Sequence, residues 1–179
     1  MNILLHICCA NCTIYPVSVL RDKNHKVDGY FYNNNIHPYQ EFRKRLDSVQ
    51  EYSRLLELNV QVNETYMLEA FLQNVAADPA NRCTYCYQSR LEETARVAAE
   101  QEYDAFTTSL LYSRYQQHDS IRRIGETLAQ QYGLQFYYED FRAGWQEGIH
   151  ASKSMGLYRQ QYCGCIYSEM DRYYPRSKN

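Results

Sequence analysis

A single α/β domain, with a mostly parallel sheet flanked by helices, is the fold class that this sequence predicts. Three observations carry the reading. Short apolar runs of strand length, NILLHI at 2–7, VDGYFYN at 27–33, DAFTTSLL at 104–111 and LQFYYEDF at 134–141, alternate with longer stretches whose apolar residues recur at helical spacing. A chain of 179 residues can bury a sizeable core without covalent staples. No linker, internal repeat or low-complexity segment divides it, so residues 1–179 are read as one unit.

Taken in order, NILLHI is the first strand, and CANCTIYPVSVLRDKN opens a helix once past its cysteines. VDGYFYN is the second strand and ends in NNNIHP, a turn-rich stretch punctuated by Pro38. Between Tyr39 and Leu58, the residues Phe42, Leu46, Val49, Tyr52, Leu55 and Leu56 recur as on an amphipathic helix. VQVNETY is a brief alternating strand and MLEAFLQNV a short helix, after which DPANR breaks the pattern. SRLEETARVAAEQEY at 89–103 is helical, with Leu91, Thr94, Ala95 and Ala98 on one side, and CTYC at 83–86 is read as the loop leading into it. DAFTTSLL is a strand, HDSIRRIGETLAQQYG a helix closed by Gly133, and LQFYYEDF the last strand. GWQEGIHASKSMGL is helical as far as Gly156, and YRQQYCGCIYSE carries the last two cysteines.

Composition narrows the function. With 21 acidic and 19 basic residues the net charge is −2, so no global field advertises nucleic acid, although FRKRL at 42–46 and IRRI at 121–124 are local basic clusters. Fourteen of the 19 basic residues are arginine, which suits bidentate recognition of phosphate. Nineteen tyrosines serve either as core filler or as stacking surfaces. No window is apolar enough to span a membrane, and the opening run has no basic n-region, so neither a signal peptide nor a lipoprotein leader is expected. Seven cysteines in a chain expected in the cytoplasm read as metal or redox chemistry before they read as a disulfide framework.

Those cysteines fall in three groups, CCANC at 8–12, where the first strand gives way to its loop, CTYC at 83–86, in the loop leading into a helix, and CGC at 163–165, after the last helix, all candidates for the edge formed by the strand ends. In an open parallel sheet those ends form the ligand crevice. Seven thiols exceed the four of a tetrahedral zinc site, and no histidine has zinc-finger spacing, so an iron–sulfur centre uses the set best. Structural zinc with spare cysteines, and thiol redox chemistry or plain burial, remain the other readings. Adjacent Cys8 and Cys9 reach one site only if the backbone leaves strand geometry there. Gly164 gives CGC a hinge suited either to chelating one metal or to a small strained disulfide ring. His6 reads as a buried core histidine, whereas His37 stands in a polar loop at the end of the second strand. His118 and Asp119, beside Arg114, are either functional or a helix cap, and Asp140 with Arg142 reads as a local ion pair.

LLHICCANC, GYFYNNNIHPYQEFRKRL, RCTYCYQSRLEETA, FTTSLLYSRYQQH, YYEDFRAGW and LYRQQYCGCIYS together resemble the cobalamin-independent epoxyqueuosine reductase family, in order and over essentially the whole chain. The resemblance implies an enzyme of tRNA modification. It would perform the last step of queuosine formation, removing the epoxide oxygen at the wobble position, on a nucleotide-binding (HUP/Rossmann-like) fold with a [4Fe-4S] cluster and a further, mononuclear iron nearby. By the same resemblance Cys8, Cys9, Cys83 and Cys86 look like cluster ligands, Cys163 and Cys165 like a second redox element, and Cys12 like an extra ligand or a structural residue. One departure is Asn11, where the family's motif often has proline; the change is expected to loosen the loop.

The chemistry agrees with this reading, because no side chain is a low-potential electron donor and a metal centre must supply the electrons. His37, a tyrosine or water would donate the proton. Tyr32, Tyr39, Tyr112 and Tyr115 are candidates for a stacking wall, and Arg43, Arg45, Arg114 and Arg122 for phosphate contacts to an anticodon arm carrying epoxyqueuosine. The implied partners are that tRNA and an unidentified low-potential electron donor; no membrane is involved, and a monomer is expected. The rivals are a zinc-stabilised nucleic-acid binding module and a cluster-free thiol oxidoreductase using CGC. An ATP-dependent tRNA sulfur-insertion enzyme is disfavoured, because CCANC occupies the place of its phosphate loop.

Overall fold

In the computed structural model, which describes residues 1–175, β1 (Asn2–His6) is the centre of the sheet. Ile3, Leu4, Leu5 and His6 are all fully buried, so both faces of the strand are covered. That is why its sequence is a continuous apolar run and not an alternating one. The sheet adds β2 (Lys26–Phe31) and β3 (Val60–Val62) on one side of β1, and β4 (Ala105–Thr108) and β5 (Gln135–Phe136) on the other. Every pairing is parallel, in the order β3-β2-β1-β4-β5. The order reverses between β1 and β4, so the loops leaving those two strands border the crevice.

The helices are α1 (Ala10–Asp22), α2 (Tyr39–Leu55), α3 (Leu68–Val75), α4 (Arg82–Glu100), α5 (His118–Tyr132), α6 (Trp145–Ser154) and α7 (Ile166–Tyr173). α4 lies against α5, and α1 against α6 and α2. α5 ends as its sequence predicts, with Gly133 in the left-handed region at φ 68°. Among the described residues no helix is long and apolar enough to cross a membrane.

Four boundaries differ from the sequence reading, each for a local reason. α3 ends at Val75, before DPANR, as read, but Pro79 begins a 3-10 turn (Pro79–Asn81) that runs into α4, so CTYC lies in the first turns of that helix and not in a loop before it. β4 stops at Thr108 because the Thr108 hydroxyl accepts from the Leu110 N–H and starts a 3-10 turn over Ser109–Tyr112. β5 keeps only two residues before Asp140 accepts from the Arg142 N–H and turns the chain into a second such turn, Phe141–Gly144. The segment after CGC forms α7, with the Cys165 side chain accepting from the Ser168 N–H at its start.

Candidate metal and thiol centre

The chain leaves β1 after His6, bends at Cys8 and enters α1 at Ala10 with Cys9 extended as its N-cap. The Thr13 hydroxyl donates to the Cys9 carbonyl at 2.8 Å and fixes this entry. The bend brings adjacent cysteines to one place: Cys8 Sγ and Cys9 Sγ are 3.8 Å apart, and with Cys12, one turn into α1, the three sulfurs lie within 4.8 Å of one another. Cys8 and Cys9 are buried and Cys12 is half-buried. The departure from strand geometry expected of the CCANC motif is therefore present, and Cys12 belongs to the tight group. Among the described residues, Cys83 and Cys86 are not members of that mutually close set.

Three thiols this close share their protons unequally. Thiol hydrogen bonds from Cys12 and then Cys9 pull Cys8 well below the usual thiol value. Burial pushes Cys9 up, and the hydrogen bond to Cys8 pushes Cys12 up. The thiolate is thus favoured at Cys8 over Cys9 and Cys12, and a soft, thiophilic metal binds such a donor set by displacing the remaining protons. Ser109, in the turn after β4, accepts from the Cys8 N–H at 3.0 Å and donates to Cys8 Sγ at 3.3 Å. The Gln160 amide donates to Cys9 Sγ at 2.8 Å and lies 3.7 Å from Cys12 Sγ.

Asn11 does the opposite of loosening this loop. Its amide donates to the Tyr158 carbonyl at 2.8 Å and to Gln160 Oε1 at 2.7 Å, while Ser152 donates to its side-chain oxygen. The residue in the proline position thereby fixes the glutamine that faces the sulfurs.

The second thiol pair stands on α4. Burial pushes the Cys86 thiol up to about 12 and raises that of Cys83 as well. Arg90, one turn after Cys86, donates to the Cys86 carbonyl at 3.0 Å and to Cys86 Sγ at 2.8 Å. Negative charge at Cys86, and then at Cys163 and Cys8, favours the charged state of this buried guanidinium.

CGC is held rather than hinged. The His37 N–H donates to the Gly164 carbonyl at 2.8 Å, and the Gly164 N–H donates to Ser168 Oγ at 3.1 Å. Gly164 has φ 153°, and a Cβ there would sit 2.8 Å from the Asn35 carbonyl oxygen, so glycine is required for shape and not for freedom. Gln116 donates to Cys163 Sγ at 3.4 Å and accepts from the Tyr87 hydroxyl. All seven cysteines are free thiols, so the Cys163–Cys165 disulfide ring considered from the sequence is not formed.

Two histidine readings change or sharpen. His37 is buried, not a loop-surface residue: Nε2 donates to the Asn34 carbonyl, Nδ1 accepts from the Ile166 N–H, and burial holds it at about 4. With both ring nitrogens engaged it supports the CGC turn, and the role of free proton donor loses its footing. His6 is the buried, hydrogen-bonded core histidine expected, with Thr108 Oγ1 at 2.9 Å and the Tyr32 carbonyl at 3.1 Å.

Of the four candidate arginines, Arg45 is misplaced for phosphate. It is 2% exposed, pairs with Glu41 at 2.7 Å and donates to the carbonyls of Cys163 at 2.7 Å and Tyr162 at 2.9 Å. Arg43 pairs with Asp47 and Glu64, and Arg122 with Glu126, both on the surface. Arg114 lies over the Trp145 ring at 5.5 Å, beside Tyr115, which is 84% exposed and meets Trp145 edge-on. Tyr112 is buried and stacks on the other aromatic of that group, with centroids 5.2 Å apart. Tyr39 is exposed, and half-buried Tyr32 stacks on Tyr30. His118 and Asp119 fall in the first turn of α5, and Asp140 forms the expected exposed ion pair with Arg142 at 2.6 Å.

Arg90, Gln160, Gln116 and Trp145 went unnoticed in the sequence. Arg90 alone carried a usable signal there, its four-residue spacing from Cys86 on a helix.

A parallel α/β sheet whose reversal point carries three converging thiols, close enough together to hold a metal ion, defines a thiol-rich protein of the open, parallel α/β class. The profile of the family described as epoxyqueuosine reductase QueH matches residues 3–171. The chain is 37% identical over 172 residues to epoxyqueuosine reductase QueH of Dehalococcoides mccartyi, covering 96% of this chain and 94% of that one. It is 34% identical to the protein of the same description from Thermotoga maritima, covering 96% and 92%. The chain belongs to the epoxyqueuosine reductase QueH family. Its fold is also similar to the crystal structure of a predicted subunit of a tRNA methyltransferase from Methanocaldococcus jannaschii, with TM-score 0.54, 12% identity and coverage of 84% and 74%.

Proposed function

We propose that the protein reduces epoxyqueuosine to queuosine at the wobble position of tRNA, the last step of queuosine biosynthesis. The observation that carries this is the convergence of the Cys8, Cys9 and Cys12 sulfurs at the reversal point of the sheet in a chain of this family. The reaction takes two electrons and two protons, opens the epoxide to an alkene and releases its oxygen as water. A [4Fe-4S] cluster, with a mononuclear iron beside it, would supply low-potential electrons and a Lewis-acidic site.

The residues fit such a group. Four thiolates suffice for a cluster, and Cys8, Cys9, Cys83 and Cys86 are the assigned set, with Cys12 left to a further iron. Buried, charged Arg90 beside Cys86 favours sulfur in its anionic form there. Ser109 and Gln160 orient Cys8 and Cys9 through hydrogen bonds to their sulfurs. Cys163 and Cys165 form the second redox element, presented by the Arg45 and His37 contacts. Tyr115, Arg114 and Trp145 offer an aromatic and cationic platform for bases and phosphates of the anticodon arm, with Tyr112 stacked on Trp145, and Tyr32, Tyr39, Arg43 and Arg122 remain further candidate contacts. The protein works in the cytoplasm as a monomer and takes electrons from a low-potential donor.

Anaerobic preparation tests the reading. The expected product is brown, holds at least four irons per chain with acid-labile sulfide, and converts epoxyqueuosine in tRNA to queuosine. Zinc at one equivalent with no labile sulfide after reconstitution would refute it.

A further inference from the structure

Two arginines lie among the largest fully buried side chains, and they are treated differently. Arg45, 2% exposed, has the Glu41 carboxylate at 2.7 Å. Arg90, 1% exposed, has no acidic partner within ion-pair distance among the described residues. A guanidinium stays charged at every physiological pH, so burial without a counter-charge is strongly unfavourable. Its donors instead go to the carbonyl and the sulfur of Cys86, at 3.0 and 2.8 Å. The anion that this cation was built to face is therefore sulfur.

We propose that Arg90 is a positioning residue: its guanidinium is the fixed counter-charge of the thiolate-bound centre, holding Cys86 Sγ in place as a ligand and keeping the centre's reduction potential up. The inference rests on the reading above that Cys86 binds that centre. A positive charge hydrogen-bonded to a ligand sulfur stabilises the more negative, reduced state, so its removal lowers the potential. Lysine keeps the charge but loses the planar fork that serves the carbonyl and sulfur together, and glutamine keeps an N–H donor without the charge.

The test compares Arg90→Gln, Arg90→Lys and the parent, each loaded anaerobically, by iron and sulfide content and by mediated redox titration. Arg90→Gln is expected to lower the ratio of reduced to oxidised centre at a fixed potential at least tenfold, about 59 mV for one electron, with Arg90→Lys shifted less. A Gln variant that loads no iron while the Lys variant does also supports the proposal, since of the two only lysine keeps the charge and neither keeps the fork. Equal potentials in all three proteins would overturn it, as would failure of both variants to load, which marks a packing role. Cys86→Ser run alongside keeps the two readings apart: a full cluster in that variant defeats the ligand assignment itself, whereas a lost cluster with unchanged Arg90→Gln potential defeats the counter-charge alone.

Discussion

Replacing Arg45 with leucine tests the least expected placement in the molecule. The guanidinium joins three things: the Glu41 carboxylate one turn earlier on α2, and the carbonyls of Tyr162 and Cys163 on the segment that carries CGC. Glu41 is 7% exposed and, among the described residues, retains the Tyr158 hydroxyl as its one side-chain donor once Arg45 is gone. Breaking a buried ion pair from one side costs about 3–5 kcal/mol, because the remaining charge stays desolvated. The two lost carbonyl bonds belong to the same cluster and do not add in full. A net loss of about 4 kcal/mol is expected, a large part of the ~5–15 kcal/mol that holds a domain of this size. Urea denaturation of parent, Arg45→Leu and the double variant Glu41→Gln/Arg45→Leu measures it, and the double variant should recover part of the loss because no charge is left stranded. Stability of Arg45→Leu within about 1 kcal/mol of the parent, together with weaker tRNA binding and a shallower salt dependence, would refute the buried role and restore the phosphate contact read from FRKRL.

Three further outcomes follow from single groups. His37 has a folded pKa of about 4 against 6.5 unfolded, so between those values the unfolded chain binds the extra proton; the stabilisation is complete above pH 6.5 and is lost as pH falls toward 4. Denaturation at pH 7 and pH 4 should show the parent losing up to roughly 3 kcal/mol more than His37→Gln, and parallel curves would refute it. Gly164→Ala should cost about 1–3 kcal/mol, since the new Cβ meets the Asn35 carbonyl at a φ of 153°, and should speed amide exchange at His37; an unchanged midpoint would count against the fixed turn. Arg114→Ala should weaken tRNA binding and reduce the slope of log affinity against log salt by about 0.7–0.9, and an unaltered slope would remove Arg114 from the phosphate contacts.

The sheet was legible because its strands obey one rule. Ile3, Leu4 and Leu5 form an unbroken apolar run on a strand covered on both faces, as β4 is also. Boundaries failed where a side chain, not a pattern, ended an element: the Thr108 hydroxyl at β4 and the Asp140 carboxylate at β5. DPANR marked the end of α3 correctly, but CTYC was read as a loop because proline, which breaks a helix in its interior, also begins one at its first turn. At the site, the grouping of thiols at one edge could be inferred from fold class alone. Their partners could not, because Gln160 reaches Cys9 from a distance of 151 residues and Asn11 reaches Gln160 across a similar gap.

The arginine content is where composition and structure part most clearly. Fourteen arginines suggested phosphate recognition, yet Arg45 and Arg90 are interior and serve the thiol segments, while Arg43, Arg96, Arg122 and Arg142 are engaged in ion pairs on the surface. The chemistry that suits arginine to phosphate, a rigid fork with a permanent charge, suits it equally to a backbone carbonyl beside a carboxylate or a sulfur. Arg45 uses the fork to fix the backbone that presents Cys163, and Arg90 uses it to face Cys86. Lysine could supply either charge but not both directions at once. Arg114, with an indole beneath it and no acidic partner among the described residues, is an arginine whose surroundings favour an external anion.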